Sequence, residues 1–470
     1  MGITATGAAN RFGLGARPGE LQQIGNDPRG WLLGQLGPAP AIAAYEGLPG
    51  SADYLRDLFD YQRQRRQRRA RMEAGATNVP RGGEGRRALL QGLQRELVLR
   101  QGVATSTATS FRERLVRFWS NHFAISVDKF QAALFAAPME REAIRPNVTG
   151  RFADMLLAVE RHPGMLIYLD NQKSIGPESR AAERGRRRAT GNAGAPKRGL
   201  NENLAREIME LHTLGVNGGY TQADVIEFAR AITGWGVAHP GERGGGSGAF
   251  VFRPGTHEPG SRRVLGKTFA QSGEQQGVAI LHMLALHPAT ANHLSLQLAR
   301  HFVADEPPPA LVARMARTYL DTGGELAAVY RTLIQDDAAW APPARKFKNP
   351  DDFAVSALRA TGLDDPASLG LSLQLQSQLG RPVFQPRSPA GFGDTAADWG
   401  GPDALFKRVQ AAQALADRLP DMQGSTPLAL AQAALGPTLD AQTATALRRA
   451  ESVQQGVALL LASPVFQWRA

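Results

Sequence analysis

The sequence predicts an all-α protein, a multi-helix globular chain with long loops. Across its 470 residues, apolar side chains recur three and four positions apart, which is the spacing of an amphipathic helix. No segment alternates convincingly between apolar and polar residues over the length of a strand, and there is no repeat of fixed period. Only the Gly-rich region of residues 240–260 indicates strand structure, and we expect at most a short hairpin around Phe250–Phe252, near residues 250–270.

Residues 1–175 form the first predicted part, which is helical almost throughout. Leu115, Phe118 and Trp119 illustrate the pattern, because they fall along one face of a helix. The predicted helices of this part cover residues 20–36, 52–71, 89–99, 111–123, 130–144 and 152–167. Residues 176–199 follow as a predicted flexible basic loop, because this stretch is rich in Gly, Ala and Arg and has few side chains that could anchor it to a core.

Helical spacing returns in a central part, residues 200–345, and continues in a C-terminal part, residues 346–470. The predicted helices cover residues 201–214, 221–233, 274–301, 309–320, 324–336, 350–361, 402–419 and 442–462. Length alone suggests two or three packed units. The same pattern also allows all of these parts to form one compact unit.

The composition excludes several classes of function. The chain has no cysteine, which rules out disulfides, thiolate nucleophiles and Cys-ligated metal sites. No apolar run approaches the roughly 18 residues that a membrane-spanning helix needs, so we expect no transmembrane segment. The N-terminus lacks the basic start and continuous apolar stretch of a signal peptide, so the sequence as written predicts a cytoplasmic protein.

The net charge of +11 raises the question of a nucleic-acid partner. Arginines concentrate in two runs, residues 63–71 and 180–188, and neither run contains interleaved aromatic side chains. Sequence-reading nucleic-acid modules combine such aromatics with basic residues. We therefore interpret both runs as solvated helix faces or loops and expect no nucleic-acid partner.

Residues 201–215 hold the most informative motif. At about 100° per residue, an apolar face forms beside a polar stripe. The apolar face consists of Leu200, Leu204, Ile208 and Leu211, and the polar stripe of Asn203, Arg206, Glu207 and Glu210. Because Glu207 and Glu210 are three positions apart, their carboxylates are neighbours, and mutual repulsion together with partial burial raises the pKa of one of them.

Such a pair can supply one protonated acid and one ionised base, which glycoside hydrolysis and other acid–base hydrolysis require. The alternative is structural, with Arg206 and a neighbouring helix neutralising the carboxylates in an ion-pair network. Two carboxylates on one helix could also serve a hard metal ion. However, His212 lies on another side of the helix, and the chain lacks His-Glu-x-x-His and paired Glu-x-x-His motifs. We therefore expect no metal site and no cofactor.

Further candidates lie on neighbouring segments, and each has a structural alternative. His122 ends an aromatic helix and is a third catalytic candidate, although a lone His there is commonly packed and hydrogen-bonded. Asp170 ends a helix before the basic loop and is the fourth, although Asp is also an ordinary capping residue. Six side chains are assigned to substrate binding: Asn201, Asn203, Arg206, Arg230, Trp235 and His257. Of these, Arg230 and Trp235 could equally join two helices.

Several motifs resemble those of one bacterial family, in the same order and over nearly the whole chain. They are NRFGLG at 10–15, FWSNHF at 118–123, HPGMLIYLD at 162–170, residues 201–215, GYTQADV at 219–225, ARAITGW at 229–235 and ASPVFQ at 462–467. The family is called domain of unknown function 1800, and it has no established activity to transfer. Near His257 the chain departs from the His-Asp-x-Gly-x-Lys of its relatives, because His257 is followed by Glu258 and Pro259.

The resemblance implies context rather than chemistry. Many relatives are exported, and their genes often neighbour those of a second family that looks like the sulfatase and alkaline-phosphatase superfamily. A periplasmic or envelope location and a sulfatase-like partner protein are therefore implied, against the cytoplasmic location that the N-terminus predicts. Our leading hypothesis is an acid–base hydrolase that acts on a glycan or related polar polymer, including an anionic one. The alternative is a non-catalytic helical scaffold or assembly factor for a cell-envelope partner.

Overall fold

The computed structural model describes residues 4–38, 40–74, 84–189, 199–239, 242, 249–341, 345–419 and 426–469. Helices make up most of these residues, and the strands among them are two or three residues long. The all-α prediction is therefore confirmed. None of the helices in these ranges is both long enough and apolar enough to cross a lipid bilayer.

The N-terminal helices include two long ones, α3 and α4, and one central one, α5. The bounds are α1 (Glu20–Ile24), α2 (Pro28–Leu33), α3 (Ser51–Glu73), α4 (Glu84–Ser106), α5 (Ser110–His122), α6 (Phe130–Ala133), α7 (Ala136–Met139), α8 (Phe152–Glu160), α9 (Pro163–Tyr168) and α10 (Arg180–Ala189). Helix α5 is buried from Ser110 to Ser120, including its charged residues. It therefore needs partners for those charges as well as apolar contacts.

The central helices begin with α11, which carries the polar stripe. The bounds are α11 (Asn203–Glu207), α12 (Gln222–Ala231), α13 (Glu274–Ala285), α14 (Pro288–Phe302), α15 (Pro309–Asp321) and α16 (Leu326–Gln335). Helix α11 continues into a π-helical turn, Ile208–His212, so the predicted single helix over 201–214 is shorter and widens at its end. Helix α12 begins at a capping box, in which the Thr221 N–H donates to Asp224 Oδ2 at 2.9 Å.

The C-terminal helices form the remainder of the fold. Their bounds are α17 (Pro350–Thr361), α18 (Pro366–Gln378), α19 (Ala396–Trp399), α20 (Pro402–Ala416), α21 (Pro427–Leu435), α22 (Ala441–Arg448), α23 (Val453–Ala462) and α24 (Pro464–Gln467). Proline occupies the first turn in most of them, where its missing N–H costs nothing.

Three antiparallel strand pairs complete the secondary structure of the described residues. Strand β1 (Trp235–Val237) pairs with β2 (Phe250–Phe252), and β3 (Arg262–Val264) pairs with β4 (Lys267–Phe269). These two pairs confirm short hairpin structure near residues 250–270. The third pair, β5 (Lys346–Phe347) with β6 (Trp468–Arg469), was not predicted, because it joins segments far apart in the sequence.

The apolar core has two main clusters. The first is built from residues between Ala8 and Trp340 and so combines N-terminal and central helices, whereas the second lies between Phe353 and Phe466. Buried charge connects them: the guanidinium of Arg359, on α17, donates to both carboxylate oxygens of Glu20 at 3.0 and 2.9 Å. The division of the chain into three helical parts stays a prediction.

The segment predicted as a flexible basic loop contains a helix. Residues Arg180–Ala189 form α10, so the loop prediction is wrong for that stretch, and residues 190–198 lie outside the described residues. Ala and Arg are strong helix formers, and Glu183 pairs with Arg187 at 2.5 Å across one turn. The prediction rested on the lack of apolar side chains that could pack against the core. It gave too little weight to the helix propensity of Ala and Arg and to ion pairs one turn apart.

Candidate active site

A cavity of about 360 Å³ lies between α5, α14, the first turn of α17 and the loop of residues 390–395. Two helix faces contribute to its wall. Helix α5 contributes Arg114, Arg117, Phe118, Asn121 and His122, and helix α14 contributes His293, Gln297, Arg300 and His301. Both sets follow helical spacing, so each lies along one face. We call this space the α5–α14 cavity.

Two histidines of the cavity have a defined ring orientation. Nε2 of His122 lies 3.2 Å from the carbonyl oxygen of His212, and Nε2 of His293 lies 3.2 Å from the carbonyl oxygen of Leu211. A carbonyl oxygen only accepts hydrogen bonds, so each neutral ring carries its proton on Nε2 and a lone pair on Nδ1. Neither Nδ1 atom has a hydrogen-bond partner among the described residues. The π-helical turn after α11 therefore fixes two imidazoles at the cavity wall.

The third histidine is held by a carboxylate. Nδ1 of His301 lies 2.7 Å from Oδ2 of Asp394, which comes from the 390–395 loop. The carboxylate accepts the Nδ1 proton, so the lone pair of the neutral ring is on Nε2, which is buried and has no partner within the described part of the chain. A carboxylate that fixes the tautomer of an imidazole is the support that a general base needs.

Burial lowers the pKa of all three cavity histidines below the usual 6.5. For His122 the charges of His212 and His293 act in the same direction, whereas for His301 the carboxylate of Asp394 opposes the effect of burial. The three rings are therefore neutral at pH 7. Neutral imidazoles can accept protons, so the cavity contains three potential bases.

These lowered pKa values predict how stability depends on pH. Burial lowers the pKa of six histidines in all, namely His122, His162, His257, His287, His293 and His301. Below pH 6.5 these histidines bind protons more readily in the unfolded chain than in the folded chain. We therefore expect the free energy of unfolding to fall between pH 7.5 and pH 5. Urea unfolding across this range measures the change. A constant or rising free energy of unfolding towards pH 5 would contradict the buried neutral state.

The inner wall of the cavity is a buried ion-pair cluster. Asp351 lies 2.5 Å from Arg117 and 3.3 Å from Arg381, and Asp352 lies 2.5 Å from Arg114 and 3.4 Å from Arg469. Burial alone would raise the pKa of Asp351, but the arginines lower it to about 2. Both aspartates are therefore ionised, and each faces two cations.

Asn121 holds the loop that carries Asp394. Its side-chain amide donates to the carbonyl oxygen of Phe392 at 3.0 Å and accepts from the Phe392 N–H at 2.9 Å. The preceding Gly391 has φ +76°, and a Cβ there would lie 2.4 Å from the carbonyl oxygen of Asn121. Only glycine fits this close approach, which brings the 390–395 loop against α5. Asn121 and Gly391 thereby position the carboxylate of Asp394.

Glu207 and Glu210, the predicted acid–base pair, are close to each other but are not among the residues that line the α5–α14 cavity. Burial raises the pKa of Glu207, the charge of His212 lowers it, and the charge of Glu210 raises it. Oε2 of Glu210 accepts a hydrogen bond from the hydroxyl of Tyr220 at 3.4 Å. Of the four predicted catalytic residues, His122 lines the cavity.

Asp170 lies in an ion-pair cluster outside the cavity lining. Its carboxylate contacts Lys129 at 2.8 Å and Lys173 at 2.7 Å, and the residue has φ +59°. Burial would raise the pKa of this carboxyl, but the two lysines hold it below its usual value. Asn201 bonds the carbonyl oxygen of Leu169 at 3.0 Å, so it ties the start of the polar motif to this corner.

The remaining predicted binding residues are distributed over α11, α12 and the strands. Arg206 pairs with Glu202 at 3.1 Å, and Arg230 pairs with Glu227 at 2.6 Å within α12. Asn203 is exposed at the first position of α11.

Trp235 and His257 lie near β1 and β2. Trp235 is 1% exposed but borders a second cavity of about 160 Å³, which Lys173 and Arg253 also line. Nδ1 of His257 lies 2.9 Å from the carbonyl oxygen of Thr233, and burial lowers the pKa of the ring.

Comparison with known proteins decides the family. A model described as "Protein of unknown function (DUF1800)" matches residues 7–468. The chain belongs to the DUF1800 family. No curated protein matches it, and no solved structure matches it. The family match confirms the resemblance drawn from the motifs and spans every residue of the α5–α14 cavity.

Sequence reasoning on this DUF1800 chain missed His293, Arg300, His301 and Asp394. A signal for the first three was present, because polar residues at positions 293, 297, 300 and 301 share one face of a helix that is otherwise largely apolar. Asp394 gave no such signal, since it belongs to an irregular loop. Among the described residues, no group of three or more His, Asp or Glu side chains is placed to hold a metal ion.

A Ser, His and Glu cluster elsewhere in this DUF1800 chain has the wrong proton arrangement for a catalytic triad. Nε2 of His162 lies 2.9 Å from Oγ of Ser51, whose hydroxyl donates to Glu142 at 2.7 Å. Nδ1 of His162 accepts the N–H of Gly164 at 3.1 Å and so caps α9. The neutral ring therefore carries its proton on Nε2, towards the serine, and cannot accept the serine proton there. We interpret this cluster as structural.

Proposed function

We propose that this DUF1800 chain is an acid–base enzyme, a hydrolase, and that its reaction takes place in the α5–α14 cavity. The observation that carries the proposal is the set of three neutral imidazoles on the cavity, each with one ring nitrogen in a hydrogen bond and the other without a protein partner. Positioned neutral histidines are the commonest general bases near pH 7. The His301–Asp394 contact adds the orienting carboxylate that such a base requires.

His122 is the proposed proton acceptor, because the π-helical turn holds its ring at the cavity wall and its Nδ1 has no hydrogen-bond partner among the described residues. A water molecule would transfer a proton to this nitrogen as its oxygen bonds to the electrophilic atom of the substrate. The bond to the leaving group then breaks, and the leaving group takes the proton back from His122. The overall change is the addition of one water molecule across the broken bond.

The dimensions of the cavity suggest the size of the substrate. Small-molecule sites commonly have volumes of roughly 300–1,000 Å³, and the α5–α14 cavity, at about 360 Å³, is at the lower end of that range. It suits a small polar molecule or the end of a polymer chain. A glycan or related polar polymer would therefore enter by its end.

A second location for the same chemistry is the pair Glu207 and Glu210. Burial raises the pKa of Glu207, and His212 opposes this effect; a raised carboxyl pKa is the direction that a general acid needs. Asp170, Asn201 and Arg206 lie on the neighbouring segments. The two locations are adjacent, because His122 of the cavity forms a hydrogen bond with the carbonyl oxygen of His212, two residues after Glu210.

Two substitutions separate these locations. In a screen of purified protein against polysaccharides, esters and phosphoesters, we expect His122→Gln to lower kcat/KM by roughly 100-fold or more, which is the contribution of a general base. Far-ultraviolet circular dichroism and thermal unfolding verify that the variant folds. A loss in Glu207→Gln with full activity in His122→Gln would instead assign the reaction to the glutamate pair.

Glu207→Gln also has an expected effect on stability. Because burial raises the pKa of Glu207, the folded protein disfavours its charged form at pH 7. The neutral amide should therefore preserve the fold, with a free energy of unfolding within about 1 kcal/mol of the wild type or slightly above it. Urea unfolding at pH 7 measures this difference. A large loss of stability would indicate that the carboxylate belongs to a structural ion-pair network.

The second candidate function is a non-catalytic scaffold for a cell-envelope partner, such as a sulfatase-like protein. Exposed apolar side chains on α20 favour it: Leu405 is 44% exposed, Phe406 64% and Val409 54%. Contiguous exposed apolar surface commonly marks a protein interface. Absence of turnover on every substrate class, together with loss of partner binding in Phe406→Ser, would favour the scaffold.

A further inference from the structure

The two long walls of the α5–α14 cavity differ in how their polar groups are satisfied. On the wall formed by α5 and α17, the cations Arg114 and Arg117 contact the buried Asp352 and Asp351 at 2.5 Å. On the α14 wall, no carboxylate lies within 4 Å of the Arg300 nitrogens in the described part of the chain. The α14 wall therefore presents a positive charge that has no counterion among the described residues.

Arg300 is held in a geometry that leaves its outer nitrogens free. Its Nε donates to the carbonyl oxygen of Asp305 at 3.1 Å, which fixes the plane of the guanidinium. The two terminal nitrogens have no hydrogen-bond partner among the described residues, and the side chain is half-buried at the cavity. A guanidinium in this state can donate two parallel hydrogen bonds to a carboxylate or phosphate.

Gln297 lies one turn before Arg300 on the same face of α14, and its side-chain amide also has no hydrogen-bond partner among the described residues. An amide N–H beside a guanidinium adds a third donor. The carboxylates around the cavity are already engaged: Asp394 accepts from His301, and Asp398 accepts from the N–H and the hydroxyl of Thr395 at the start of α19.

The buried cluster behind the opposite wall also favours an anion. Asp351 and Asp352 each contact two arginines, so the carboxylates there do not exceed the cations around them. Fixed positive charge in a partly closed cavity attracts an anionic ligand more strongly than the same charge in water.

We propose that Arg300, with Gln297, forms a subsite for an anionic group of the ligand, a carboxylate or a phosphate. The inference deepens the proposed function and rests on it in one respect, namely that the ligand is a substrate. The substrate class is then a small acid or an acidic chain end, such as a sugar acid or a phosphate monoester. The reacting bond would lie towards His122 and the anionic group towards Arg300.

Binding of simple anions tests the subsite without any assay of turnover. Inorganic phosphate and acetate are titrated separately into the full chain by isothermal titration calorimetry at pH 7.5 and constant ionic strength. The variants are Arg300→Gln, which removes the charge, and Arg300→Lys, which keeps the charge but loses the two-pronged geometry. Arg317→Gln is the matched control, because Arg317 is exposed on α15 and has no ion pair or hydrogen bond among the described residues.

We expect at least one anion to bind the wild type and Arg300→Gln to weaken that binding by 10-fold or more, since hydrogen bonds to charged groups are worth roughly 10- to 100-fold in affinity. The affinity of Arg300→Lys should lie between those of the wild type and Arg300→Gln. The affinity of Arg317→Gln should match that of the wild type. Tighter binding of phosphate indicates a phosphoryl ligand, and tighter binding of acetate a carboxylate. Thermal unfolding of each variant verifies the fold.

The inference is overturned if neither anion binds the wild type, if Arg300→Gln binds as the wild type does, or if Arg317→Gln shows an equal loss. Failure of the proposed function has a different signature. Anion binding that depends on Arg300 without turnover on any substrate would retain the subsite and exclude the hydrolase. Turnover that His122→Gln abolishes but Arg300→Gln leaves unchanged would retain the hydrolase and exclude the subsite.

Discussion

Replacing Asp352 by alanine is expected to lower the free energy of unfolding by about 3–5 kcal/mol, the usual cost of removing one partner from a buried ion pair. The carboxylate lies 2.5 Å from Arg114 and 3.4 Å from Arg469, whose side chains are 3% and 0% exposed. Without the carboxylate, two guanidinium groups remain buried with too little opposing charge. The cost therefore reflects the unpaired arginines more than the lost contact itself.

Asp337 offers a matched control for this prediction. Its carboxylate also lies close to an arginine, Arg29, at 2.7 Å, but it is 92% exposed. Water screens such a pair, so we expect Asp337→Ala to change the free energy of unfolding by less than about 1 kcal/mol. Equal losses in the two variants, measured by urea unfolding at pH 7, would contradict the importance of burial.

The effect of Asp352 should also depend on pH in one direction. Burial alone would raise the pKa of this carboxyl, but Arg114 and Arg469 hold it far below its usual 3.8. The stabilisation is therefore fully present above about pH 4 and is lost as the pH falls further, because the unfolded chain then binds the proton more readily. The difference between wild type and Asp352→Ala should shrink below pH 4.

The fold was largely predictable because its main signal is local. Helical spacing of apolar residues identified the all-α class, and the Gly-rich region identified the hairpins near residue 250. The pair β5–β6 could not be predicted, since Lys346 and Arg469 are joined only by the tertiary fold. Helix α10 was not predicted, because local interactions stabilise it and the prediction required apolar contacts with the core.

The site was less predictable because its geometry depends on main-chain atoms. The polar stripe of α11 directed attention to the side chains of Glu207 and Glu210. What this helix supplies to the α5–α14 cavity is a pair of carbonyl oxygens, which the π-helical turn leaves for His122 and His293. A sequence specifies side chains, but no sequence pattern indicates which main-chain carbonyl oxygens will accept hydrogen bonds from side chains.

The remaining residues of the site could not be predicted because they are far apart in the sequence. Asp394 and His301 are 93 residues apart, and Asp394 belongs to a loop that has no periodic pattern. Its position depends on the amide of Asn121 and on the close approach at Gly391. Contacts between an irregular loop and a helix face arise from the assembled fold, so residue spacing cannot reveal them.

Asp394→Asn is expected to lower kcat/KM by about 100- to 10,000-fold, because we propose that His301 acts beside His122 as a second base of the cavity, and the amide cannot hold its ring in the tautomer that the carboxylate selects. The side chain keeps its size, so the fold should remain. The ring loses the anion that opposes the effect of burial on its pKa, so the acid limb of the pH–rate profile should move to lower pH as the rate falls.

Nitrogen chemical shifts of the His301 ring provide a readout that does not depend on turnover, since they report which nitrogen carries the proton. Asp321→Asn, at the exposed end of α15, is the control for the same change of charge and should match the wild type in both measurements. If Asp394→Asn moved the ring proton but left the rate unchanged, Asp394 would be a structural partner of His301, and the reaction would depend on His122 without a contribution from His301.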